Sequence, residues 1–183
     1  MRDATVTVDE ADWTLGPELA PITLLEYGNY QCARCAATHR WLRGLYSEYP
    51  DRVRLVFRHF PLAVAHPQAT LAAEAAEAAG ARGAFWPMHD WLFSQKDELD
   101  LPQLVAGARS LGIDDAAFEA ELSQRTHLFA VKHDFRRGVR DGASEAPSLF
   151  VNGRRYDGAL TIYALSKLVS PLVERRLSVA APR

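Results

Sequence analysis

Ile22-Thr-Leu-Leu-Glu-Tyr-Gly-Asn-Tyr-Gln-Cys32-Ala-Arg-Cys35 is the stretch on which the fold turns. Apolar residues occupy both faces from Ile22 to Tyr27, which is the pattern of a buried strand. Gly28 to Gln31 read as a turn. A helix is expected from about Cys32 to Tyr49, with Leu42, Leu45, Tyr46 and Tyr49 on one face and Pro50-Asp51 ending it. Val53 to Phe57 alternates and reads as a second strand. Strand, helix and strand in this order favour a parallel pair joined by a right-handed crossover.

Further along, the character changes. No convincing strand appears from about Leu62 to Asp141. Helices are expected over Ala69–Ala84, Phe85–Lys96, Pro102–Leu111, Asp114–Ser123 (capped by Asp114) and Thr126–Arg140. Strand character returns at Ser148–Val151. Asn152-Gly153 is a strong hairpin turn signal, and Arg154–Tyr156 is the return strand. A last helix begins near Thr161 and carries Leu165, Leu168, Val169, Leu172 and Val173, with Pro171 expected to kink or split it. Thr5 to Val8 alternates and reads as a further edge strand. The expected organisation is one discontinuous α/β domain, residues 1–61 and 143–183, with an all-helical insertion at 62–142.

Composition narrows the function. The chain has 183 residues, 48% hydrophobic and 24% charged, enough to bury a core without a disulfide staple. A net charge of −2 offers no basic surplus for nucleic acid. No run approaches the roughly 18 apolar residues that a membrane span requires. Residues 1–10 lack the apolar core of a signal peptide, which at face value predicts a cytoplasmic protein, or an extracytoplasmic one if a signal has been removed ahead of Met1.

Cys32 and Cys35 are the chain's two cysteines. Spaced by two residues at a helix start, their sulfurs can bond, break and exchange partners with little backbone movement. A thiol at a helix N-terminus faces unsatisfied N–H groups and the positive end of the helix dipole, which favours the reactive thiolate. Cys32 is therefore the expected nucleophile, with Arg34 as a possible added charge. Cys35, one turn further in, is the expected resolving thiol. The alternative is an inert or zinc-holding pair, for which His39 is the close extra ligand candidate.

Glu26 lies in the first strand, six positions before Cys32, inside an apolar run. Burial there would raise its pKa and suit it to accept the Cys35 proton; the plainer reading is a strand-end glutamate turned to solvent. Pro147 stands just before the last hairpin. A strand-leading proline is allowed on backbone grounds alone. A cis Ala146–Pro147 bond placed against the cysteines would present backbone groups, those of Ala146 among them, to an extended substrate. Tyr27, Tyr30 and Phe60 are candidates to line an apolar groove beside the cysteines, and Tyr30 is the one assigned to substrate; the plainer reading places such aromatics in the core. His39 reads as a solvated helix residue, His59, His66 and His89 as packing or capping residues, and Arg52, Arg54 and Arg58 as a polar strand face.

Several motifs taken together resemble the DsbA-like branch of the thioredoxin superfamily, and within it the thioredoxin-4 type domains that occur alone or fused to membrane antiporters. They are Glu26-Tyr-Gly-Asn-Tyr-Gln-Cys-Ala-Arg-Cys35, Phe57-Arg-His-Phe-Pro-Leu62, His66-Pro67, Phe85-Trp-Pro-Met-His-Asp90 and Ala146-Pro-Ser-Leu-Phe-Val-Asn-Gly153. The resemblance covers roughly residues 12 to 175. It implies a thioredoxin fold, a mixed sheet with flanking helices, carrying a helical insertion. It also implies Cys32 as nucleophile, Cys35 as resolving thiol, Glu26 as buried acid and Pro147 as the cis-proline. Departures are Ala33 where relatives commonly have Pro, Asn29 where they have Asp, and Glu145-Ala-Pro147 where they often have Gly-Thr-Pro.

The expected activity is thiol–disulfide exchange with protein or peptide thiols, recycled by a redox partner and needing no cofactor or metal. The sequence is silent on oligomeric state. The alternative is a non-catalytic thioredoxin-like module that senses redox state or holds a metal and binds a partner through its helical block. A glutathione-dependent transferase of the same fold group is disfavoured by Cys35, which such relatives usually lack.

Overall fold

The computed structural model describes residues 5–95, 99–113 and 116–177, with side chains described as far as residue 171. Its elements are β1 (Trp13–Leu15), β2 (Ile22–Gly28), α1 (Ala33–Glu48), β3 (Val53–His59), α2 (Ala69–Gly80), α3 (Phe85–Ser94), α4 (Leu101–Ser110), α5 (Ala116–Ser123), α6 (Leu128–Arg140), β4 (Ser148–Val151), β5 (Arg154–Tyr156) and α7 (Ile162–Leu177). The strands form one sheet in the order β1-β3-β2-β4-β5. Its two outer pairs, β1 with β3 and β4 with β5, are antiparallel.

The chain divides into two compact units. The first comprises Met1–Glu26, Ala37–Phe57 and Ser148–Arg183; the second comprises Tyr27–Ala36 and Arg58–Pro147. In the first unit the core is built from Ile22, Leu24 and Leu25 of β2, Leu42 and Leu45 of α1, Val53, Leu55 and Phe57 of β3, Leu149 and Phe150 of β4, and Leu165 and Val169 of α7. These are the two-faced strands and one-faced helices that the apolar pattern demands.

The β4–β5 turn is Asn152-Gly153, with φ of 48° and 79°. Two successive positive φ angles define the type I′ turn, and Asn and Gly are the residues that tolerate it. Asn152 does a second job, because its side-chain oxygen accepts the Thr23 N–H at 2.7 Å while its own N–H reaches the Thr23 carbonyl at 2.9 Å. The hairpin is thereby stitched to β2.

The second unit is helical and centred on α2, which packs against α3, α4, α5 and α6. Alanine fills most of α2's buried positions, so neighbouring helices approach closely. Glu74 is the exception in that apolar surface. It is fully buried, and Arg125 at 2.8 Å neutralises it, as a buried carboxylate requires.

Four expectations change. The edge strand is Trp13–Leu15, whereas Thr5–Val8 is not a strand, and the Val6 N–H donates to the Gly153 carbonyl at 2.8 Å. Helix α7 runs unsplit through Pro171. Arg58 is no part of a solvated face: it is 1% exposed and held by Tyr27 and Asp141. His39 is no solvated helix residue either, since burial first, then the Arg43 and Arg40 charges, push its pKa down to about 4. Asp114, the expected cap of α5, and the side chains of Leu172 and Val173 lie outside the described residues.

Candidate active site

The turn before α1 is closed by Asn29. Its side-chain oxygen accepts the Gln31 N–H at 3.0 Å and its backbone carbonyl accepts the Cys32 N–H at 3.1 Å. An Asn presents the same acceptor oxygen here that an Asp would. Cys32 then sits immediately ahead of Ala33, the first residue of α1, and its carbonyl takes the Ala36 N–H at 3.0 Å. This is the cap position, where the first backbone N–H groups of a helix lack intrahelical partners.

The two cysteines are not joined as a disulfide; Cys32 is partly exposed and Cys35 fully buried. The Cys35 thiol donates to the Cys32 sulfur, and this is the largest influence on it. Burial opposes ionisation. The N–H groups of Cys35 and Arg34 and the charge of His66 favour it. Together they pull Cys32 from 9.0 down to about 5. Cys32 is therefore a thiolate at neutral pH, the species that attacks disulfides.

Facing Cys32 within the same unit is the loop that ends in Pro147. The Ala146–Pro147 bond is cis. The Ala146 carbonyl oxygen lies 3.5 Å from Cys32 Sγ and accepts the thiol proton when one is present. Arg34 and Glu145, both well exposed, pair at 3.0 Å between the cysteine turn and this loop. The expectation that the Arg34 guanidinium acts on Cys32 is thus refined: the guanidinium is taken up by Glu145, and the backbone N–H of Arg34 is the group that reaches the sulfur.

Tyr27, Tyr30 and Phe60 are all buried. Tyr30 is 5% exposed, its hydroxyl is 2.9 Å from His89 Nδ1, and its ring packs on Phe93 and His59. Its side chain therefore anchors the cysteine turn to α3 and to His59. The Tyr27 hydroxyl donates to Asp141 at 2.5 Å and accepts from Arg58 at 2.8 Å. Burial above all raises the Tyr27 pKa, so the phenol remains neutral.

Glu26 is 2% exposed near the end of β2, which excludes the plainer reading of a glutamate in solvent. Neither cysteine belongs to a cluster of three possible metal ligands among the described residues. The sequence does not single out Gln68, whose side chain bonds Gln31, the residue before Cys32. It reads His66 as a packing or capping residue, whereas the charge of His66 also favours the Cys32 thiolate.

A family model described as thioredoxin, of the thioredoxin-4 type, matches residues 8–170. The Na(+)/H(+) antiporter NhaA 1 of Salinispora arenicola is 40% identical over 169 residues, covering 92% of this chain and 26% of that protein. The chain thus spans about a quarter of the length of the curated relatives it matches. Among solved structures, BdbD from Bacillus subtilis superposes with a TM-score of 0.80 at 20% identity, over 93% of this chain and 97% of that one. Wolbachia pipientis alpha-DsbA1 superposes with a TM-score of 0.81 at 19% identity, over 95% and 96%. At such identities these two likenesses establish a DsbA-like thioredoxin fold.

Proposed function

The chain belongs to the thioredoxin family, and from that premise we propose that it is a thiol–disulfide oxidoreductase acting on protein or peptide thiols through Cys32 and Cys35. The observation that carries this reading is the low pKa of a partly exposed Cys32 with a buried Cys35 thiol donating to it.

In the reducing direction the Cys32 thiolate attacks one sulfur of a substrate disulfide. A Cys32–substrate disulfide forms, the substrate S–S bond breaks, and the other substrate sulfur leaves as a thiolate that takes up a proton. Cys35 then loses its proton and attacks Cys32 Sγ. The substrate's second thiol departs, and the chain is left with a Cys32–Cys35 disulfide. Oxidation of a substrate dithiol is the same sequence reversed.

Glu26 accepts the Cys35 proton; its burial and its position six residues ahead of Cys32 support that role. Pro147 and the Ala146 backbone form the wall along which an extended substrate lies, supported by the approach of the Ala146 carbonyl to Cys32 Sγ. A redox partner restores the starting state. Turnover of a disulfide-bonded protein by a dithiol reductant, and oxidation of a reduced peptide, test the reading. Wild type turns over in at least one direction, Cys32→Ser in neither, and Glu26→Gln more slowly at the release of the mixed disulfide. A wild-type chain inert in both directions sinks it.

Direction follows from the thiolate. Lowering Cys32 to about 5 stabilises the dithiol, which makes the disulfide form the stronger oxidant. The reduction potential of the pair should therefore lie above the roughly −270 mV of thioredoxin and toward the roughly −120 mV of DsbA. Disulfide donors work where thiols are kept oxidised, so such a value favours action outside the cytoplasm. A value at or below thioredoxin's selects a reductase. Among the described residues no helix is long and apolar enough to cross a membrane.

The likeness to a stretch of Na(+)/H(+) antiporters favours a second role, redox control of a membrane partner. Partner binding that changes with reduction, in a chain that exchanges no disulfides, would select it over the enzyme.

A further inference from the structure

Arg58 is buried at the end of β3, and a cation so deep in a protein requires an anion. Asp141 supplies it at 3.2 Å, and the Tyr27 hydroxyl joins the two. It accepts from Arg58 at 2.8 Å and donates to the same Asp141 oxygen at 2.5 Å. The thiol chemistry proposed above uses none of these three groups. Their places in the chain give them another use. Cys32 lies five residues after Tyr27, and Ala146 lies five residues after Asp141. The two segments leave one buried junction and meet again where the Ala146 carbonyl stands 3.5 Å from Cys32 Sγ. Five residues of chain reach at most about 18 Å, so junction, sulfur and Pro147 loop form one short closed frame. All of it lies within the second unit.

We propose that Tyr27, Arg58 and Asp141 are positioning residues, whose junction sets the separation between Cys32 and the Ala146–Pro147 loop and so the slot that an extended substrate enters. The inference rests on the reading of Cys32 as the attacking thiol and of that loop as the substrate wall. Both sides of the junction are firmly held. Asp141 caps α6, its N–H bonding the Arg137 carbonyl at 2.8 Å, and the Ala143 N–H returns to the Gly138 carbonyl at 2.8 Å. Tyr27 is followed by Gly28, whose carbonyl accepts the Phe60 N–H at 2.8 Å. The Tyr27 ring also packs beside Gly138, where an added Cβ would come within 3.0 Å of it. Tyr27 thus fixes the last turn of α6 twice, by its ring and by its hydroxyl. The frame has a second tie, the Arg34–Glu145 pair, but both of its partners are well exposed. Exposed pairs hold weakly, whereas breaking a buried charged pair is costly. The buried junction is therefore the tie that sets the geometry.

A small disulfide needs only the sulfur; an extended peptide needs the sulfur and the wall at a set separation. The full dithiol chain is therefore mixed with an excess of hydroxyethyl disulfide or of a disulfide-bonded extended peptide, and loss of the dithiol is followed by mass spectrometry. Asp141→Ala, which cuts the loop from the junction, should slow reaction with the peptide about tenfold, and Tyr27→Phe, which removes only the bridging oxygen, about threefold. Both should react with hydroxyethyl disulfide within about twofold of wild type, since Cys32 itself is untouched. The double variant should be no slower on the peptide than Asp141→Ala alone, because the two side chains act through one bond. Lost stability would not single out the peptide in this way. Should circular dichroism show Asp141→Ala unfolded, the ratio of the two rates in Tyr27→Phe decides alone. Variants that keep the wild-type ratio overturn the inference and leave the oxidoreductase reading standing. Full additivity in the double variant overturns action through a shared junction. A wild type inert toward both disulfides sinks the oxidoreductase reading and this inference with it.

Discussion

At Cys32 a single ionisation couples chemistry to stability. The folded chain holds the thiol at about 5, against 9.0 for an unperturbed thiol. Between these values the unfolded chain binds more protons than the folded one, so stability rises with pH. The contribution is complete above pH 9.0 and is lost as pH falls through about 5. The dithiol wild type should therefore gain thermal stability over Cys32→Ser across that window, and the difference should close in acid. A pH-independent difference between the two melting curves would contradict the low pKa. Residues whose chemistry is declared by spacing, Cys32 and Cys35 above all, were legible in the sequence. Glu26 and Ala146-Pro147 were legible as positions; their burial and the cis bond needed coordinates. Arg58, His39 and His66 were not legible. An arginine in an alternating strand, or a histidine on a helix, looks the same in sequence whether it meets water or a buried partner, and Asp141, which holds Arg58, is 83 positions away.

Among the elements, the helices of the second unit followed the apolar period to within a few residues, because α2, α3 and their neighbours bury one continuous surface. The β1 edge strand did not. Three partly exposed residues carry no period, and the pairing of Trp13 with Phe57 decides their conformation. Contact across α6 is similarly invisible in sequence but consequential. A Cβ added at Gly138 would stand 2.7 Å from Phe60 Cδ2 and 3.0 Å from Tyr27 Cδ1. Neither ring has room to retreat, since Phe60 stacks on Phe135 and Tyr27 is held by Arg58 and Asp141. Gly138→Ala should destabilise the protein by about 1–3 kcal/mol through overpacking, measured by chemical denaturation. A neutral result would show that α6 can move away from Phe60 freely.

Across the molecule, the chemistry is concentrated. Cys32, Cys35, the Pro147 loop and the Tyr27–Arg58–Asp141 junction all belong to the second unit, while the first supplies most of the sheet and the buried Glu26. The two cysteines divide the labour by exposure: Cys32 is reachable and ionised, and Cys35 is buried behind it. A trap measures that division directly. Cys35→Ser, mixed with a disulfide-bonded peptide at neutral pH and analysed by mass spectrometry, should accumulate a stoichiometric mixed disulfide on Cys32, and Cys32→Ser should accumulate none. A Cys35→Ser chain that stays unmodified, or a Cys32→Ser chain that traps the peptide on Cys35 equally well, would contradict the assignment of Cys32 as the attacking thiol.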